Sequence, residues 1–215
     1  MPNVQRQVMD RLYGTDIWAN FIPDPSLIDP QGWNGDHPAL QRLAGAGGTI
    51  VIDVGVWKGQ STISMALAMK SAGVDGCVIA VDTFLGSIEN WANEDRLFKR
   101  VTGRPNLYEI FLNNVISADV SSYIVPLAQT SATAAVVLNR AGIRASLIHV
   151  DAAHDYESVL QDIKAYWELL VPRGFMIGDD YHEVWPGVVR AAGEFSAATG
   201  RPLSIEPHKW ILQHP

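Results

Sequence analysis

Three carboxylates and an imidazole are spaced as if for joint chemistry. The segment LIHVDAAHDYESV, residues 147–159, carries Asp151 with His154 three positions later, and the apolar run of FMIGDDY stops at Asp179 and Asp180, the first of them 28 residues after Asp151. Like charges brought together disfavour joint ionisation, so these carboxylates either stay apart or share a cation. An oxygen-rich donor set suits Mg²⁺, Ca²⁺ or Mn²⁺ better than zinc, which prefers histidine and cysteine. Asp151, Asp179 and Asp180 are therefore candidate metal ligands. Plainer roles compete with this one. The Asp179–Asp180 pair could cap a loop, and Asp155 is assigned to capping the helix that starts near Tyr156. His149, in mid-strand, is expected to be a satisfied core histidine.

The elements that would position these groups follow from hydrophobic patterning. After about residue 49, short apolar runs alternate with helix-period segments, the pattern of a mainly parallel sheet covered by helices. The predicted strands are TIVIDV (49–54), CVIAVD (77–82), SYIVPL (122–127), SLIHVD (146–151) and FMIGD (175–179). Helices are predicted over 61–70, closing at Gly73, and from Tyr156 to Trp167, where apolar residues recur at helical spacing and Pro172 and Gly174 follow. A further helix covers 187–198, and LSIEP and KWILQH, separated by His208, form a closing hairpin.

Two segments break the repeat. Residues 1–48 read as an irregular arm leading into a short helix from Pro38 to Leu43. Residues 84–118 form a lid-like insert within the main domain, residues 49–215. Helical spacing assigns Tyr108, Phe111 and Leu112 to packing. Trp91 and Trp185 are the better candidates for lining a substrate pocket, with Phe98, Trp18 and Trp33 as further aromatic residues.

VIDVGVWKGQST puts Gly55 and Gly59 between the first strand and a helix, where backbone amides and a helix N-terminus meet ligands in doubly wound folds. The spacing is GxxxG, so the GxGxxG dinucleotide fingerprint is not met. Ser61 and Thr62 are expected to cap the helix. The second strand ends in Asp82, placed to accept hydrogen bonds from two ribose hydroxyls.

The runs IVIDVGVWKGQST, DTFLGSIENW, VDAAHDY, VPRGFMIGDDY and WPGVVRAAGEF, in this order, resemble the class I S-adenosylmethionine-dependent methyltransferases, in particular methyltransferase family 24, over about residues 45–213. That resemblance implies a Rossmann-like α/β fold with a seven-stranded, mainly parallel sheet, an antiparallel last strand and helices on both faces. It implies S-adenosylmethionine as cofactor, with Asp53, Gly55 and Gly59 shaping the pocket for its methionine part, Asp82 holding the ribose and Thr130 and Ser131 edging the adenine; Ser61 and Asp151 are further cofactor-binding candidates. Asp151 would serve cofactor, metal and catalysis together. Many class I enzymes carry glycine where this chain has Trp57.

The aspartate pattern is also similar to the catechol O-methyltransferases, whose metal ligands have the same 28-residue separation and whose base, a lysine, lies three residues after the first aspartate. His154 stands at that position, and Asp180 replaces an asparagine. The resemblance thus implies a metal-dependent O-methyltransferase with Mg²⁺ or another divalent cation on Asp151, Asp179 and Asp180. A metal-bound hydroxyl loses its proton more readily, and a histidine can accept it near neutral pH. His154 is the expected base and His182 its rival.

Composition sets the outer limits. With 16 basic and 23 acidic side chains the net charge is -7, so nucleic acid is not the expected partner. The one cysteine, Cys77, lies in an apolar run, which suits a reducing compartment. The N-terminus lacks an apolar signal region, and no run approaches the roughly 20 apolar residues of a membrane helix. The expectation is a soluble, cytoplasmic enzyme of a small-molecule acceptor such as a phenol or sugar of secondary metabolism, with a homo-oligomer contacting through the arm left open. The alternatives are a metal-independent small-molecule N-methyltransferase, whose carboxylates would hold a cationic substrate, and a catalytically silent methyltransferase-fold binding protein.

Overall fold

The computed structural model describes residues 3–92 and 98–215. Residues 1–2 of the arm and 93–97 of the insert lie outside the described residues. The main sheet has seven strands: β1 (Ile50–Val54), β2 (Cys77–Asp82), β5 (Ile124–Ala128), β6 (Ala145–Val150), β7 (Leu170–Gly178), β8 (Ser204–Glu206) and β9 (Lys209–Gln213). Their spatial order is β5-β2-β1-β6-β7-β9-β8. Pairing is parallel from β5 to β7, and β9 runs antiparallel between β7 and β8. The seven-stranded, mainly parallel sheet with an antiparallel last strand is therefore present.

Burial on both faces explains the continuous apolar runs. Ile52 and Ile148 face a layer that contains α1 (Val4–Leu12), α6 (Ser131–Arg140), α7 (Tyr156–Trp167) and α8 (Pro186–Thr199). Val51 and Leu147, one residue away, face the opposite layer of α2 (Pro38–Ala44), α3 (Gln60–Ser71) and α5 (Leu107–Ser117). The insert between β2 and β5 holds a short helix, α4 (Ile88–Ala92), a small hairpin of β3 (Arg100–Val101) and β4 (Arg104–Pro105), and α5.

Several elements differ from expectation. The arm is not wholly irregular before residue 38, because α1 occupies Val4–Leu12, with Asn3 accepting the N-cap hydrogen bond from the Arg6 backbone N–H. It serves the sheet edge. Tyr13 Oη donates to the Pro126 carbonyl at 2.5 Å, and Trp18 Nε1 and Gln5 Nε2 donate to the Ile124 carbonyl at 3.0 and 3.3 Å. The outward carbonyls of edge strand β5 are thus satisfied from within the chain.

Pro172 and Gly174 lie inside β7 rather than in a loop. The register jumps from Ala145↔Leu170 to Leu147↔Phe175, so residues 171–174 bulge out opposite Ser146. Arg173 there takes φ 64°. The bulge accommodates a proline that a regular ladder would reject.

Candidate functional site

The carboxyl ends of β1, β2, β6 and β7 border a cavity of about 770 Å³. At its base the turn from β1 to α3 passes through Gly55 (φ 86°), Trp57 (φ 53°) and Gly59 (φ 95°). Gly55 is required by close approach, since a Cβ there would lie 2.0 Å from the Asp151 carbonyl oxygen. Trp57 holds a left-handed conformation that is uncommon for a bulky residue. Its surroundings fix it: the backbone N–H donates to Asp82 Oδ2 at 2.9 Å, Nε1 donates to Gln31 Oε1 at 2.9 Å, and the indole packs against Trp33 and Phe98.

Ser61 and Thr62 do not cap α3. Gly59 is the N-cap and makes no side-chain cap bond. Both hydroxyls turn inward instead and donate to Asp53 Oδ2, at 2.8 and 2.6 Å. The physical reason is the fully buried carboxylate of Asp53, which needs donors more than the helix end does. Burial works upward on the Asp53 carboxyl, but His149 and the two hydroxyls hold it below its ordinary value. Asp53 and Gly59 support the turn from behind, whereas Gly55, Ser61, Asp82, Thr130 and Ser131 line the cavity.

Asp82 ends β2 as expected, and each of its oxygens receives a backbone N–H, from Trp57 and from Phe84. Burial pushes its carboxyl above the ordinary value against the pull of those two donors. Thr130 caps α6 through the Thr133 N–H, and Ser131 opens that helix. A stretch of the N-terminal arm, Gly32 to Gly35, forms another wall. Asp29 fastens it by pairing with the buried Lys58 at 2.6 Å, and Gly35 N donates to Gln60 Oε1 at 3.1 Å.

Along the same cavity lie Asp151, His154, Asp179, Asp180 and Trp185. The carboxyl of Asp151 is pushed well above the usual range by burial and by Asp179 and Asp180, with Lys209 pulling the other way. Ligand atoms of Asp151, His154 and Asp180 lie within 4.8 Å of one another, and so do those of His149, Asp151 and Asp179. Asp151 thus joins both sets, while Asp179 and Asp180 fall into different ones. Asp180, at φ 59°, donates its backbone N–H to Asp179 Oδ1 at 2.8 Å; its Oδ2 lies 2.8 Å from His154 Nε2, and the His154 ring stacks on Trp185 at 4.1 Å. Asp155 caps α7 through the Ser158 N–H, as expected.

Other candidates fall elsewhere. His182 is exposed and faces His208 and the Val184 N–H. Trp91, beside the guanidinium of Arg100, does not line the cavity, and Tyr108 and Phe111 pack on Phe84. His149 is a satisfied core residue, yet its partners are ionisable: Asp53 at 2.7 Å and Lys209 at 3.2 Å. Lys209 is absent from the sequence-based candidates. Its signal is a lysine placed directly before the apolar run WIL in strand KWILQ.

A doubly wound sheet with an antiparallel last strand, a glycine turn after β1 and an acid ending β2 is the architecture of the class I S-adenosylmethionine-dependent methyltransferases. A family model described as a methyltransferase domain matches residues 52–181, and the chain belongs to that family. Similar solved structures include the O-methyltransferase NovP, at 19% identity and TM-score 0.60, with 82% of this chain and 78% of that one covered. The O-methyltransferase TomG of Streptomyces achromogenes, involved in tomaymycin synthesis and solved with S-adenosylmethionine, has 13% identity and TM-score 0.57, with coverage of 98% and 89%. CalS11, a TDP-rhamnose 3'-O-methyltransferase of calicheamicin biosynthesis, has 18% identity and TM-score 0.59, with coverage of 81% and 76%. No curated protein matches the chain. Among the described residues no helix is long and apolar enough to cross a membrane.

Proposed function

We propose that the protein transfers the methyl group of S-adenosylmethionine to a hydroxyl of a small phenolic or sugar-bearing molecule of secondary metabolism, using a divalent cation such as Mg²⁺. The observation that carries this reading is the acidic cluster of Asp151, Asp179 and Asp180 on the cavity that also holds Asp82. The names of NovP, TomG and CalS11, each an O-methyltransferase, support it. So does the donor chemistry: burial and repulsion push up the Asp151 carboxyl, and the single ammonium of Lys209 offsets only part of that. A bound divalent cation would lower the pKa of an acceptor hydroxyl.

The chain's own residues supply the remaining functions. Asp82 keeps further lone pairs on each oxygen for the ribose hydroxyls, and Thr130 and Ser131 edge the adenine. The acceptor oxygen attacks the methyl carbon as the carbon–sulfur bond breaks, leaving a neutral thioether, and the hydroxyl proton passes to His154. Asp180 and Trp185 orient that ring. Reduced Cys77, buried in β2, suits a cytoplasmic location.

The test is turnover with catechols, hydroxylated glycosides and amines, each with Mg²⁺ or excess chelator. Product from a hydroxylated acceptor only with Mg²⁺ is the expected result. Full turnover in chelator removes the metal role, and methylation of amines alone under chelation favours N-methyl transfer. Tight cofactor binding without turnover of any acceptor favours a silent binding protein. Failure to bind S-adenosylmethionine or its demethylated product overturns the whole reading.

A further inference from the structure

Four ionisable side chains run in a row beneath the cavity. Asp53 and His149 are register partners on β1 and β6, Asp179 follows β7, and Lys209 opens β9. Asp53, His149 and Lys209 are fully buried, and Asp179 is 4% exposed. Burying such groups is unfavourable unless each is paired. The pairing is continuous: His149 Nδ1 lies 2.7 Å from Asp53 Oδ1, Lys209 Nζ lies 3.2 Å from His149 Nε2, and Lys209 Nζ donates to Asp179 Oδ2 at 2.5 Å.

Donor bookkeeping assigns the histidine tautomer. An ammonium only donates, so His149 Nε2, facing it, carries a lone pair, and Nδ1–H donates to Asp53. The same ammonium lies against His149 and Asp179, two of the three members of the inner set His149, Asp151 and Asp179. A positive charge is already built into that set.

We propose that Lys209 is a positioning residue, the resident cation of the inner half of the acidic cluster. It fixes Asp179 and, through His149, the carboxylate of Asp53 beneath the glycine turn. It leaves the carboxylates of Asp151 and Asp180, on the His154 side of the cluster, as the part open to a divalent ion. Only that last consequence rests on the metal-dependent reading above. Cofactor floor and acidic cluster are thereby one buried unit rather than two neighbouring sites.

The test uses Mn²⁺ alone, counted by electron paramagnetic resonance on the full chain, with histidine labelled in ¹⁵N. Lys209→Met, shown folded by circular dichroism, is expected to bind an additional Mn²⁺ ion relative to the wild type, with nitrogen coupling from His149. Lys209→Arg keeps the charge and gains no ion. A ¹⁵N nuclear magnetic resonance spectrum of the metal-free wild type is expected to show His149 protonated at Nδ1 and bare at Nε2, a readout independent of any variant's folding. An unchanged Mn²⁺ count in folded Lys209→Met, or a wild-type His149 protonated at Nε2, overturns the proposal. Failure of the wild type to bind Mn²⁺ removes the metal reading instead, and the comparison of Lys209→Met with wild type still decides the role of Lys209.

Discussion

Alanine at position 55 tests whether the cofactor turn and the acidic cluster are held in contact by a missing side chain. A Cβ on Gly55 would lie 2.0 Å from the Asp151 carbonyl oxygen, 2.5 Å from its carbonyl carbon and 2.7 Å from the Cα of Ala152. All three are backbone atoms, so no side chain can rotate away. Restoring an ordinary 3.4 Å contact means separating the β1–α3 turn from the Asp151 segment by about 1.4 Å in a close-packed region. Left-handed backbone at φ 86° adds ~1 kcal/mol for alanine, and the forced separation ~1–3 kcal/mol. Gly73→Ala is the control, with φ 66° and nothing within 4 Å of the added carbon, so it incurs only the backbone cost of ~1 kcal/mol. Urea unfolding measures stability, and calorimetric titration with S-adenosylhomocysteine measures cofactor affinity. Gly55→Ala is expected to lose ~2–4 kcal/mol of stability and at least about tenfold in affinity, and Gly73→Ala to keep its affinity. Equal behaviour of the two variants in both assays would refute the close-approach argument.

Three further outcomes follow from the site. The Asp151 carboxyl sits well above its ordinary value in the fold, so the folded state is increasingly penalised as pH rises from the ordinary value to the raised one, and the penalty is relieved as pH falls back through that window. Asp151→Asn should therefore stabilise the cofactor-free protein at pH 7 by ~1 kcal/mol or more in thermal unfolding, and abolish any stabilisation by Mg²⁺. Asp29→Ala leaves the Lys58 ammonium buried without its partner, costing ~2 kcal/mol because Asp29 itself is partly wet. Burial acts upward on the Asp29 carboxyl, but Lys58 and the Gln31 N–H hold it below the ordinary value. Its contribution is therefore present above the ordinary value and fades as pH falls below about 4, which urea midpoints against pH will reveal. His154→Ala should lower kcat ~100-fold or more while leaving affinity for S-adenosylhomocysteine unchanged; retained kcat across pH removes the base role.

Much of the fold is legible because parallel strands buried on both faces must read as unbroken apolar runs, as CVIAVD does over the whole of β2. The stripe from Tyr156 to Trp167 gives α7 its full extent for the same kind of reason. Helix α1 is harder to read: it buries Gln5, Val8 and Met9, a stripe too short and too polar to stand out. Helix α6, SATAAVVLNR, is built mostly of small residues with weak contrast between faces. The strand-end acids Asp82, Asp151 and Asp179 are visible because charge at the end of a greasy run is conspicuous. The partners of Asp53 are not, since Ser61 and Thr62 look like ordinary caps until the buried carboxylate behind them is placed. Lys209 meets His149 across 60 residues only once β9 folds back antiparallel, a fact of register rather than of spacing.

The arm residues Gly32 to Gly35, like Trp185 before α8, border the cavity without belonging to the sheet. Gly35 lies so close to the Ser61 backbone that an added Cβ would come within 2.5 Å of its nitrogen. Two classes of wall therefore meet in one chamber: strand termini, whose positions are dictated by the hydrogen-bonded ladder, and peripheral segments whose replacement would leave that ladder intact. Chimeras exchanging residues 24–36 between relatives would alter the shape of the chamber while sparing the strand ends. Diversification of the molecule being modified has a structural route here that does not pass through the machinery that holds the donor.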